Sequence, residues 1–140
     1  MSRVVLDASA GVDYLLATAR ADDVLAAFGD AERLDVPELF GVEVCAATRR
    51  QVLRGRMTPA RAQRMLGDLH QLLASVWPHD GALLARGFEL RENIGTYDAV
   101  YVALAEALGA RLVTSDAPLA AAARLHTGLD VVDASVPSKA

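Results

Sequence analysis

Asp7, Glu43, Asp98 and Asp116 stand in surroundings that point to chemistry. Asp7 directly follows the apolar run Val4-Val5-Leu6, and Asp116 follows Leu112-Val113-Thr114-Ser115. Short apolar runs of this kind read as buried strands. In open parallel sheets, ligands bind beyond the carboxyl ends of the strands, where both aspartates fall. Each of the two, taken singly, also suits a helix N-cap. Glu43 is more telling. Three and four positions from it on a helix lie Leu39, Phe40, Ala46 and Ala47, an apolar stripe on which a charge is costly. Asp98 sits beside Tyr101 and Val102, at the head of residues 99–105, which are apolar all round. A helix of that pattern is buried. The plainer account of Asp98 is a first-turn acid favoured by the helix dipole.

Buried or half-buried carboxylates repel one another unless something positive joins them. Lysine cannot serve, because Lys139 near the end of the sequence is the only one. Arginine could. A hard divalent cation fits better, since Mg²⁺ and Mn²⁺ take carboxylate oxygens and keep water positions open. Such a site lowers the pKa of a bound water and clamps a phosphodiester. His70, His79 and His126 have no mutual spacing that suggests a metal site and read as surface or satisfied residues. Cys45 is the only cysteine, which leaves no internal disulfide and no Cys-based zinc site. It reads as a small buried residue on a helix.

The elements that must position these acids follow from patterning. Strands are expected at residues 3–6, 34–36, 75–77, 111–114 and 129–132. Ser9 is expected to cap the first helix, and a second helix covers about 22–29. Pro37 is expected to open a helix in its first turn, with Glu38 complementing the dipole and Gly55 ending it. Thr58-Pro59 opens another long helix, whose Met65, Leu66, Leu69, Leu72, Leu73 and Val76 recur at amphipathic spacing. The pair 38–55 and 58–75 reads as an antiparallel helical hairpin. Further helices are expected at 82–91, from Gly95-Thr96 to Gly109, and at 117–125. Apolar runs alternate with helices and no tight hairpin signal appears, so the chain reads as one α/β domain with a parallel sheet. Residues 134–140 read as a disordered tail.

At 140 residues, of which 53% are hydrophobic, the chain can bury a real core. No apolar run is long enough to span a bilayer, and no signal peptide is evident, so a cytoplasmic protein is expected. The net charge of −4 argues against a nucleic-acid binder, yet Arg49, Arg50, Arg54, Arg56, Arg61 and Arg64 crowd one short stretch. A local basic patch can coexist with an acidic total. A mean hydropathy of +0.24 is high for a small monomer and suits either surplus apolar surface covered by another chain or an alanine-rich core.

The segments Val4-Val5-Leu6-Asp7-Ala8-Ser9-Ala10, Pro37-Glu38-Leu39-Phe40-Gly41-Val42-Glu43-Val44, Thr96-Tyr97-Asp98-Ala99-Val100-Tyr101 and Leu112-Val113-Thr114-Ser115-Asp116 occur in this order. Together they resemble the PIN domain, and within it the VapC-type toxins of toxin–antitoxin pairs. The resemblance covers essentially the whole chain and implies a three-layer α/β/α fold over 1–133, with a parallel sheet of four or five strands. It implies Mg²⁺ or Mn²⁺ held by Asp7, Glu43, Asp98 and Asp116, with Ser9 and Thr114 as small hydroxyls beside the metal. It further implies cleavage of RNA by a metal-activated water, a homodimer, and a cognate VapB-type antitoxin. Pro118, just after Asp116, is a local departure that removes no ligand.

Other readings fare worse. A haloacid-dehalogenase-type phosphatase wants a second aspartate two residues after the first, where this chain has Ser9. That fold and the response-regulator receivers both need an active-site lysine, and Lys139 is badly placed. No phosphate-binding Walker motif is present. The non-enzyme alternative is a PIN fold that grips RNA or a partner without cutting.

Overall fold

The computed structural model describes residues 3–31, 34–72 and 75–137. Along the chain these form β1 (Val4–Leu6), α1 (Ala8–Leu15), α2 (Ala21–Ala27), β2 (Leu34–Pro37), α3 (Leu39–Leu53) and α4 (Pro59–Leu72). There follow β3 (Ser75–Trp77), α5 (Gly81–Glu89), α6 (Thr96–Leu108), β4 (Arg111–Thr114), α7 (Ala117–His126) and β5 (Val131–Asp133). The strands make one parallel sheet in the order β3-β2-β1-β4-β5. The first strand of the chain is thus the central one, and its Val4, Val5 and Leu6 are at most 1% exposed. Right-handed crossovers place α1 to α4 on one face and α5 to α7 on the other, the expected three layers.

The order reverses between β1 and β4, so their carboxyl ends flank the switch-point crevice. Helix α6 packs across β1, β2 and β4, which is why residues 99–105 are buried all round. Gly109, in the left-handed region at φ 61°, ends that helix. Helices α3 and α4 pack as the expected hairpin, and the Thr58 hydroxyl accepts from Arg61 N–H at 3.2 Å. Among the described residues no helix is long and apolar enough to cross a membrane.

Several local expectations are corrected. Asp7, not Ser9, caps α1, because an aspartate in extended backbone at the strand end reaches the Ala10 N–H. Pro37 ends β2 opposite Trp77 instead of opening α3. The next residue, Glu38, supplies the N–H that meets the Trp77 carbonyl at 3.0 Å. Cys45 is exposed. The buried stripe of α3 runs through Phe40, Val44 and Thr48, and the next residue round from Val44 faces solvent. Val76 lies on edge strand β3, half exposed, and not on a helix. The segment read as a tail begins with Ala134, which is buried and donates its N–H to the Thr114 carbonyl at 2.7 Å. Chain order therefore extends past residue 133, while 138–140 lie outside the described residues.

Helices α1 and α3 approach closely at Gly11, where a Cβ would come within 2.6 Å of the Phe40 ring. Phe40 is fully buried and cannot swing away cheaply. Gly11→Ala is expected to lower stability by about 1–3 kcal/mol, read from urea unfolding. An unchanged midpoint would show that the two helices can separate freely.

Candidate active site

Asp7 is 3% exposed at the end of the central strand, and its carboxylate is held from three sides. Its Oδ1 accepts from Ala10 N–H at 2.9 Å and from Ser9 Oγ at 2.7 Å. Its Oδ2 accepts from Thr114 Oγ1 at 2.6 Å. The neighbouring strand pairing, Leu6 with Val113, brings Thr114 alongside. Ser9 Oγ also accepts from Ser115 N–H at 3.0 Å and lies 3.2 Å from Thr114 Oγ1. Thr114 Oγ1 in turn accepts from Asp116 N–H at 3.0 Å. The two small hydroxyls therefore tie the loop after β4 to the loop after β1. Burial pushes the Asp7 carboxyl up to about 6, against the lowering effect of its three hydrogen bonds, and the charge of Asp98 adds to the rise.

Asp116 caps α7 by accepting from Leu119 N–H at 3.1 Å through Oδ1. Pro118 occupies the first turn of that helix, where no N–H is needed, so the departure is accommodated. Asp98 is half-buried in the first turn of α6 and has no hydrogen-bond donor among the described residues. Its pKa is raised by burial, then by the charges of Asp116 and Glu43. Glu43 is half-buried on α3, and its Oε1 accepts from the Tyr101 hydroxyl at 2.6 Å. The structure thus brings the four acids into one electrostatic neighbourhood built from β1, α3, α6 and the β4–α7 loop. Its oxygens are hard donors, and after the protein's own hydrogen bonds Asp98 keeps both of its own, while Glu43 and Asp116 each keep one. Among the described residues, no three His, Cys, Asp or Glu side chains converge closely enough to enclose an ion. The cluster is an open array, not a closed cage.

Tyr101 is the site residue that sequence reasoning missed. It lies three residues after Asp98, on the same helical face, and a phenol in an otherwise apolar run carries a polar tip that needs a partner. His79 is satisfied, as expected: its Nε2 accepts from Leu39 N–H at 3.1 Å and so caps the helix that carries Glu43. Asp35, a fully buried acid on β2, stands apart from the site. It accepts from Trp77 Nε1 at 2.9 Å and faces Arg3 at 3.5 Å. Arg49, Arg50, Arg54, Arg56, Arg61 and Arg64 are all exposed. None forms an ion pair among the described residues, where Arg3, Arg86 and Arg111 supply the pairs that do form. Cavities of 530 and 650 Å³ open elsewhere, one beside Arg3 and Arg111 and one between α5 and α6, and neither is lined by any of the four acids.

With this geometry in view, residues 4–136 match the model of the PIN domain. The chain belongs to the PIN domain family. This PIN domain is similar to Ribonuclease VapC9 of Mycobacterium tuberculosis, at 39% identity over 129 residues that cover 92% of this chain and 98% of that one. Among solved structures it is similar to PAE2754 from Pyrobaculum aerophilum, with 26% identity, a TM-score of 0.69, and coverage of 96% and 85% of the two chains. A chain of the toxin–antitoxin complex from Klebsiella pneumoniae shares the fold, with a TM-score of 0.69 at 16% identity over 94% of this PIN domain and 97% of that chain.

Burial of Asp7 makes the metal-free protein pH-sensitive. The folded chain holds a proton on Asp7 up to about pH 6, whereas the unfolded chain releases it near 3.8. Between those values the folded state binds more protons, so stability falls as pH rises through that window. Full ionisation in the folded chain costs on the order of 3 kcal/mol. In EDTA, Asp7→Asn is therefore expected to melt higher than wild type at pH 8 and to lose that advantage by pH 4. A constant difference in melting temperature across this range would assign the shift elsewhere.

Proposed function

We propose that this chain is a metal-dependent endoribonuclease, the toxin of a toxin–antitoxin pair, acting at Asp7, Glu43, Asp98 and Asp116. What supports the reading is the mutual charge repulsion that links Asp98 with Asp7, Glu43 and Asp116, none of which has an ion-pair partner among the described residues. Membership of the PIN family and the similarity to Ribonuclease VapC9 support it. Mg²⁺ is the cofactor proposed, with Mn²⁺ as a substitute, because both prefer oxygen ligands and retain bound water. An open array suits this, since Mg²⁺ takes one or two carboxylates directly and keeps several waters. The bound ion supplies charge neutralisation and an acidified water for attack on a phosphodiester.

The chain's own residues do the rest. Ala10 N–H, Ser9 and Thr114 hold Asp7 in one orientation. Asp98 presents two uncommitted oxygens. Leu119 N–H fixes Asp116, and the positive end of α7 favours its charge. The exposed arginines of α3, α4 and their connection offer cations to an RNA backbone that the acidic centre would repel. A VapB-type antitoxin and a second copy of the chain complete the proposed assembly. Exposed Val42, Leu53 and Phe88 give such partners apolar surface to cover. A PIN fold that grips RNA without cutting is the second reading.

The antitoxin-free protein is expected to cut total RNA in Mg²⁺ and not in EDTA. In EDTA, Asp98→Asn is expected to melt higher than wild type, because one of the mutually repelling charges is gone. The same variant should gain less from several millimolar Mg²⁺ and lose orders of magnitude in cleavage. Cleavage undiminished by EDTA would overturn the metal mechanism, and inactivity on every RNA with unchanged binding would favour the second reading.

Replacing Arg54, Arg56 and Arg61 together with Gln is expected to weaken RNA binding and flatten its salt dependence. The log–log slope should fall by about 0.7 for each phosphate that is no longer neutralised. An unaltered slope would reduce the cluster to a solubilising surface.

A further inference from the structure

We propose that Tyr101 is a positioning residue for Glu43: its buried phenol pins one carboxylate oxygen and holds the other side of the group toward Asp98. The role rests on the metal-dependent reading of the four acids. It deepens that reading by naming what keeps the α3 acid in the cluster.

The bond runs 2.6 Å from the Tyr101 hydroxyl to Glu43 Oε1, between residues 58 positions apart. The donor end is rigid. Tyr101 is 1% exposed and lies among the tightly buried residues of α6, so its ring has no room to turn aside. The acceptor end is not rigid by itself. A glutamate on a half-exposed helix face has several rotatable bonds, and confining such a side chain costs conformational entropy. Nor do its surroundings favour confinement, because the Glu43 charge and the Asp98 charge act on each other unfavourably. Left alone, Glu43 gains by turning outward to water. A charge-assisted bond to a fixed phenol offsets both tendencies.

Helix α6 supplies both parts. Asp98 and Tyr101 are three residues apart and share one face of the helix. The same turn therefore carries one acid of the cluster and the donor that draws in a second from α3. Glu43 keeps Oε2 uncommitted, so the phenol orients the group without consuming it. Partners of this kind, which bind a metal-binding side chain and not the metal, are worth about 10–100-fold in metal affinity or activity.

The test uses wild type, Tyr101→Phe, Glu43→Gln and the double variant, each stripped of metal. Mn²⁺ binding is measured by calorimetry, and RNA cleavage is resolved into kcat and KM. Tyr101→Phe keeps the ring and loses only the hydroxyl. It is expected to bind Mn²⁺ about 10–100-fold more weakly and to lose kcat with KM for RNA little changed. In the Glu43→Gln background the same change should cost nothing further, because the two residues act as one unit. Glu43→Asp, which keeps the charge and withdraws it from the phenol, should reproduce the loss and serves if Tyr101→Phe does not fold. Wild-type Mn²⁺ affinity in Tyr101→Phe or Glu43→Asp overturns the proposal. So does an equal loss from Tyr101→Phe in both backgrounds, which would mark a purely structural role. A protein that shows the Mn²⁺ coupling yet cuts no RNA overturns the ribonuclease reading and leaves the positioning role standing. A wild type that binds no Mn²⁺ overturns both.

Discussion

A carboxylate almost sealed from water at the end of the central strand must be hydrogen-bonded, and the loops around it take their shape from that need. Asp7 receives donors from its own helix, from Ser9 and from Thr114 on the next strand. The Ser9 and Thr114 hydroxyls then accept from the backbone of residues 115 and 116. Two connections far apart in sequence are thereby locked into one turn-like assembly. Burial still prevails over those bonds in setting the carboxyl's protonation.

The remaining acids reach this centre by different means. Asp116 is placed by helix capping, a local device. Asp98 is placed by α6, whose apolar circumference forces it across the middle of the sheet and leaves its first turn at the crevice. Glu43 depends on a contact between helices from opposite layers, α3 and α6, which meet beyond the strand ends. Sheet order, helix burial and one phenol–carboxylate bond thus each set one member of the cluster. The arginines lie at the far end of α3 and on α4, so negative and positive charge are separated along one helical hairpin.

Much of this was legible in the residues alone, because the acids break rules that the rest of the chain obeys. Glu43 interrupts an apolar stripe, and Asp98 heads a helix with no polar face. The strands at 75–77 and 111–114 were readable from apolar runs bounded by helices, and the α6 stop from Gly109. The misreadings have local causes. Asp7 and Ser9 both have capping side chains, and strand-end backbone geometry decided for the former. Pro37 suits a helix start, but pairing with β3 held it in the strand. Cys45 suits the core by residue type, but the period of α3 turns it to solvent. The Tyr101 phenol signalled that it needs a partner, but nothing in sequence links α6 to α3 and so to Glu43. That these arginines form no ion pair among the described residues is likewise a fact of three dimensions.

The placement of the first strand at the centre of the sheet has a consequence for synthesis. Thr114, which holds the Oδ2 of Asp7, leaves the ribosome 107 residues after it. At ordinary elongation rates that interval is about 5–20 s. During it β1 has no β4 beside it, and the crevice between them does not exist. A nascent chain therefore carries its acids unassembled until the residues of β4 and Asp116 have been made. If the finished protein cuts RNA, the topology itself keeps it harmless to the messenger and ribosome that are still producing it.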